Sequence, residues 1–201
     1  MKIYITRHSL TTWNEEKRLQ GWKNSDLTKQ GLEDAKRLGN YLKNQSFDGI
    51  YSSPLKRAKE TAQLIFPNKT IIEDDSLKEM NFGDYEGKFI DELKKEKDYY
   101  TLWNEPQGDF SIKNGETYQE VVDRVLDFIE EKYKENKKCI FITIHGMLFT
   151  ILNGLFLNLP IEHFNEVNQN IVRGCSLSLF EYNGKEFKID YMCKDAYDLV
   201  V

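Results

Sequence analysis

Short apolar runs alternate along this chain with stretches in which apolar residues recur every third or fourth position. Lys2–Thr6 opens as a strand and gives way to polar, turn-prone residues. Asp26-Leu27-Thr28 then leads into a helix with Thr28 as N-cap, and Leu32, Ala35, Leu38, Gly39 and Leu42 share one face. Residues 49–52 read as a second strand. Ser53-Pro54 predicts the start of a second helix, with serine as N-cap and proline at the first helical position; Ala58, Ala62, Leu64 and Ile65 line it and Pro67 stops it. Lys69–Glu73 is a third strand.

From Asp74 to Gly115 the pattern is least regular. It holds a charged helix over Ile90–Tyr99 and a loop at Pro106-Gln107-Gly108. Thr117-x-x-Glu120 is a capping box, and Tyr118, Val121, Val122, Val125, Ile129 and Tyr133 follow on one side of a helix. Residues 139–144 form a strongly apolar strand ending at His145-Gly146, with an apolar helix over Met147–Leu157 behind it. Ser176–Tyr182 and Glu186–Met192 flank Asn183-Gly184, a hairpin signal. Strands alternating with helices imply an α/β fold: a three-layer α/β/α sandwich whose central sheet is mostly parallel with an antiparallel end. No repeat, low-complexity tract or linker divides the chain, so residues 1–201 read as one domain.

Composition narrows the class. The chain has 201 residues, 40% of them hydrophobic, and a net charge of −5. That charge disfavours non-specific binding to nucleic acid or an anionic membrane. Cys139, Cys175 and Cys193 are odd in number and far apart, which argues against a disulfide framework or zinc cluster and suits a reducing, cytoplasmic setting. No apolar run approaches the ~20 residues of a membrane span. The amino terminus enters a strand directly, with no signal peptide expected.

Four segments place reactive groups where ligands bind in open α/β sheets, at the carboxyl edge of the strands. Arg7 and His8 end the first strand. Arg57 lies in the first turn of the helix after the second. Glu79 sits in the loop after the third, and His145 ends the strand over 139–144. Arginine forks match phosphate oxygens, and the amino end of the helix after Ser53 adds free N–H groups. Histidine can serve as nucleophile, base or metal ligand, and a carboxylic acid can protonate a departing oxygen. Singly, each residue has an ordinary explanation: surface chemistry, a solvated helix position, a satisfied strand-end histidine. Jointly, four ordered placements favour a phosphate site, and no second ligand cluster supports a metal.

These segments also resemble the histidine phosphatase superfamily, the phosphoglycerate mutase-like proteins, along nearly the whole chain. Thr6-Arg7-His8-Ser9-Leu10-Thr11-Thr12-Trp13-Asn14 is similar to the family's opening signature, and Arg18-Leu19-Gln20-Gly21-Trp22 continues it. Tyr51-Ser52-Ser53-Pro54-Leu55-Lys56-Arg57-Ala58, Leu77-Lys78-Glu79 through Glu86-Gly87, Gly115-Glu116-Thr117 and His145-Gly146 complete the set. The resemblance implies that His8 is the nucleophile that becomes phosphohistidine. Arg7, Arg57 and His145 would hold the phosphoryl oxygens, with Glu79 as general acid and then base. Thr11, Asn14 and Gly21 match positions that can line the substrate site, and neither metal nor cofactor is implied. Residues 80–115 would be a variable substrate cap.

The resemblance implies a phosphomonoesterase acting on a small phosphate ester; monomer and homodimer both stay open. Phosphoglycerate mutase is the alternative; mutases of this type resemble longer chains with a basic insertion after the glutamate segment, and residues 80–115 contain no arginine. A weakened phospho-ligand binder is the third reading. Ser9 stands where the family's glycine follows the histidine, and would distort the pocket if glycine's freedom were needed there. Attack requires a neutral His8 whose other nitrogen is hydrogen-bonded, and Glu79 is expected in a somewhat apolar setting. Trp22, Lys23, Tyr99, Tyr100, Trp103 and Phe110 lie in segments that could roof the pocket.

Overall fold

The structure, a computed structural model, describes residues 1–167 and 172–195. In chain order it comprises β1 (Lys2–Arg7), α1 (Thr12–Glu15), α2 (Lys29–Leu42), β2 (Gly49–Ser52), α3 (Lys56–Ile65) and β3 (Ile72–Glu73). It continues with α4 (Ile90–Leu93), α5 (Lys97–Asn104), α6 (Tyr118–Lys134), β4 (Cys139–Ile144), α7 (Gly146–Phe156), β5 (Leu177–Tyr182) and β6 (Phe187–Lys194). The strands form one sheet in the order β3-β2-β4-β1-β5-β6. The first four are parallel, and β5 and β6 close one end antiparallel.

Alternation along the strands builds the layers. Ile3 and Ile5 of β1 and Ile140, Ile142 and Ile144 of β4 are fully buried in one cluster with Val121, Val125 and Ile129 of α6 and Leu148 and Ile151 of α7. Ile50, Phe141 and Leu177 point the other way, onto Ala35 and Leu38 of α2 and Ile65 of α3. A sheet apolar on both faces and sandwiched by helices is the α/β/α arrangement. The register aligns the strand ends: Arg7 lies opposite Ile144, and Ser52 opposite Thr143. His8 N–H still donates to Ile144 O (2.8 Å) and Ser53 N–H to Thr143 O (3.1 Å), so the residues just past β1, β2 and β4 emerge side by side at one edge.

Several boundaries differ from the sequence expectation. β1 runs through Arg7, because its pairing with β4 continues there. Ser53-Pro54 does not begin α3: the helix starts at Lys56 with Leu55 as an N-cap that makes no side-chain bond. The ladder bond of Ser53 N–H keeps that residue in the sheet's extension, and its hydroxyl accepts from Leu55 N–H instead (3.2 Å). The third strand shrinks to Ile72–Glu73, since Lys69 turns back onto Phe66 O. Leu32 is 39% exposed; the buried stripe of α2 is Gly31, Asp34, Ala35, Leu38 and Leu42, one position out of phase with it.

The charged helix expected over Ile90–Tyr99 is two helices, α4 and α5. Both Leu93 and Leu102 are buried. Nine residues at ~100° each would set them on opposite sides of one straight helix, so the break lets both face the core. The intervening charges, Lys94 to Asp98, are all exposed, as a solvated face should be. The capping box holds as read, with Thr117 and Glu120 bonding reciprocally. The hairpin also forms; Asn183 Oδ1 accepts from Lys185 N–H and Glu186 N–H to close its turn. Cys139, Cys175 and Cys193 are free thiols. No single helix among the described residues is long and apolar enough to cross a membrane.

Candidate active site

His8 is the best-defined member of the strand-edge cluster. Its side chain is 2% exposed, and its Nδ1 lies 2.8 Å from Ser9 O. A carbonyl only accepts, so Nδ1 carries the hydrogen, and in the neutral ring Nε2 holds the free lone pair. Burial holds the imidazole well below the usual histidine range, and the Arg57 and Arg7 charges push the same way against the Ser9 bond. His8 thus holds one tautomer and favours the neutral ring. The Ser9 carbonyl as partner had no signature in the sequence, because a backbone acceptor leaves none.

Ser9 itself is accommodated. Its backbone lies outside the left-handed region, so glycine's freedom is not needed. Its N–H donates to Thr61 Oγ1 (3.0 Å) and its hydroxyl to Gly31 O (2.7 Å), pinning the turn after β1 onto α2 and α3. The demand for a small residue falls across the way, at Gly174, where a Cβ would stand 2.9 Å from His8 O and 3.0 Å from Ser9 Cα.

His145 faces His8, with ring centroids 5.2 Å apart. It is fully buried and neither ring nitrogen has a partner among the described residues. Burial, then Arg57, with His8, Arg7 and Arg124 adding to it, holds this ring too well below the usual range. Arg7 is tethered by a bond from its terminal nitrogen NH1 to Val172 O (2.6 Å), while its Nε is buried without a partner. Arg57 is 1% exposed; NH1 donates to Lys23 O (2.8 Å) and Asn24 Oδ1 (3.1 Å), NH2 to Gly21 O (2.7 Å), and Nε has no partner. Burial lowers its pKa to about 10, so it stays a cation at neutral pH. Four buried nitrogens around two imidazoles are therefore unpartnered. Each unpartnered donor costs about 1–3 kcal/mol, which an oxyanion accepting from the two arginine Nε–H groups and the single N–H of neutral His145 would recover.

Glu79 departs from the expectation of an apolar setting. It is 6% exposed, but its carboxylate meets backbone donors. Oε1 accepts from Met80 N–H and Leu148 N–H (both 3.0 Å), and Oε2 from Met147 N–H (3.1 Å). The reason is topological: the loop after β3 and the amino end of α7 share the sheet edge, and the carboxylate takes up the free N–H groups of that helix. Oε1 thus accepts two of these bonds and Oε2 one.

The remaining predicted residues support these groups. Thr11 Oγ1 donates to Asn14 Oδ1 (2.9 Å) and accepts from Gln20 Nε2 (2.9 Å) and Asn14 N–H (3.3 Å), so Thr11 and Asn14 form the capping box of α1. Gly21 holds Arg57 through its carbonyl. It has φ +55°, and a Cβ there would come within 1.9 Å of Glu86 Oε1. Glu86, buried, accepts from Trp22 N–H, Lys23 N–H and Phe82 N–H (2.8–3.1 Å), which fixes the 21–24 loop against Arg57. Of the expected roof, Tyr99, Trp103 and Phe110 pack against the main core, Tyr100 points to solvent, and Trp22 donates its indole N–H to Glu79 O (2.8 Å). Glu86 lay in a motif already quoted, yet nothing in the sequence tied it to Arg57. No group of three His, Cys, Asp or Glu among the described residues is arranged to hold a metal ion.

The family model of the histidine phosphatase superfamily (branch 1) matches residues 3–195. A metal-independent phosphoserine phosphatase of Arabidopsis thaliana is 33% identical over 165 residues, covering 79% of this chain and 68% of its own. A Salmonella choleraesuis protein named "Probable phosphoglycerate mutase GpmB" is 31% identical over 193 residues, 93% of this chain and 87% of its own. Among solved structures, Bacillus stearothermophilus YhfR superposes with a TM-score of 0.87 at 30% identity over 96% of both chains. Sequence motifs, sheet order and family match agree, and the chain belongs to the histidine phosphatase superfamily.

Proposed function

We propose that this protein is a metal-independent phosphomonoesterase that hydrolyses a small phosphorylated metabolite through a phosphohistidine on His8. The observation that carries the reading is the His8 ring, neutral, with Nδ1–H tied to Ser9 O, Nε2 free, and unpartnered nitrogens of Arg7, Arg57 and His145 around it. In the first half-reaction the Nε2 lone pair forms the N–P bond as the P–O ester bond breaks. The leaving oxygen takes the proton from Glu79 Oε2. Arg7, Arg57 and His145 hold the three non-bridging oxygens and the two arginines offset their charge, which is most of what phosphoryl transfer asks of a protein. In the second, Glu79 accepts a proton from water as the water oxygen bonds phosphorus and the N–P bond breaks, restoring His8 and releasing phosphate.

Hydrolysis is favoured over transfer to a second substrate because residues 80–115 offer no arginine to clamp one. Lys94 there is paired with Asp91 and Lys113 with Asp84, both at the surface. His8→Ala tests the nucleophile. Its turnover of p-nitrophenyl phosphate should fall by at least about a thousandfold, in line with removing a nucleophile elsewhere; parental activity in His8→Ala would refute the assignment. Phosphoglycerate as substrate separates the readings by product: free phosphate for hydrolysis, the isomeric phosphoglycerate for mutase activity.

A further inference from the structure

Glu79 is gripped at both ends. Its carboxylate is held by α7, and its main-chain carbonyl accepts from Arg124 NH2 (3.2 Å) beside the bond from Trp22. Arg124 also donates from NH1 to Ser76 O (2.7 Å) and forks onto Glu116, Nε to Oε1 at 3.1 Å and NH2 to Oε2 at 3.2 Å. Glu116 Oε2 accepts in addition from Asn81 N–H (2.8 Å). One guanidinium–carboxylate pair thus fastens residues 76, 79 and 81, on both sides of the acid. Each partner's side chain is only 18% exposed. Arg124 stands on α6 and Glu116 immediately precedes its N-cap Thr117, which forms the capping box with Glu120.

We infer that Arg124, braced by Glu116, is a positioning residue for leaving-group protonation: it sets where Glu79 presents its acidic oxygen. This rests on the reading of Glu79 as general acid. Arg124 is fully engaged with the 76–81 loop and Glu116, and its described bonds reach no phosphoryl-holding group. Its charge acts on His145 more weakly than burial, Arg57, His8 and Arg7 do, so loosening it should move the acid far more than the phosphoryl cradle. General acid catalysis matters for a basic alkoxide leaving group and little for a nitrophenolate, which departs unaided.

The test compares kcat/KM for p-nitrophenyl phosphate and for a simple alkyl phosphate in the parent, Arg124→Gln and Glu79→Gln. Arg124→Gln should lose about ten- to a hundredfold with the alkyl ester, a fraction of what a general acid contributes, and less than about threefold with the aryl ester. Arg124→Lys, which keeps the charge but not the fork, should fall between. Equal losses on both esters in Arg124→Gln, with Glu79→Gln still separating them, would overturn the positioning role and leave the acid in place. Failure of Glu79→Gln to separate them would remove the acid reading, and this inference with it. If Arg124→Gln gives no folded protein by circular dichroism, Glu116→Gln is measured on the same two esters with the same criteria.

Discussion

At the scale of single residues, the site works by withholding partners. Buried polar atoms in folded proteins are nearly always satisfied, yet both nitrogens of His145 and the Nε atoms of Arg7 and Arg57 are not. The two imidazoles carry a stability signature. Both are held well below the ordinary value of 6.5 by burial and by the same arginines. Below pH 6.5 the unfolded chain takes up protons that the folded chain does not, so the unfolded state gains and folding stability falls. Each ring contributes up to about 1.4 kcal/mol per pH unit to that slope. Urea unfolding between pH 7 and 5 should therefore give a shallower pH dependence for His145→Gln than for the parent. Identical slopes would mean that the ring titrates alike in the folded and unfolded states, against the lowered value.

At the scale of elements, the site depends on loops fastened to one another. The 21–24 loop carries three acceptors for Arg57, and Glu86 holds that loop from behind. Gly21→Ala attacks the joint. An alanine at φ +55° costs roughly 1–2 kcal/mol, and its Cβ would displace the Glu86 carboxylate. Binding of inorganic phosphate or vanadate should weaken about tenfold, the effect of losing roughly 1.4 kcal/mol of phosphoryl contact, together with a lower melting temperature. A variant with parental anion affinity would show that Arg57 does not need this loop. Such joints are hard to read in advance. The strands, the α6 capping box and the hairpin announced themselves, because alternation and capping chemistry are local. The split of α4 from α5 and the start of α3 at Lys56 follow from where Leu93, Leu102 and Ser53 meet distant partners.

At the scale of the whole molecule, the parallel sheet delivers Arg7, His8, Arg57, Glu79 and His145 to one edge from four segments of the chain. Arg7, His8, Arg57 and His145 were legible because the apolar runs of β1, β2 and β4 are plain; Glu79 follows only the short, exposed β3 and was legible through the motif around it. Their states were not: the His8 tautomer rests on a backbone carbonyl, the Glu79 setting on the amino end of α7, and the Glu79 loop on Arg124, which reads in sequence as one more polar position of a helix. The central claim is that His8 Nε2 takes the phosphoryl group. Rapid quench during single turnover of a radiolabelled phosphomonoester tests it most directly. Transient protein-bound label is expected that survives alkali, is released by acid, maps to His8 and is absent from His8→Ala. Turnover without such label, or label that survives acid, would contradict it.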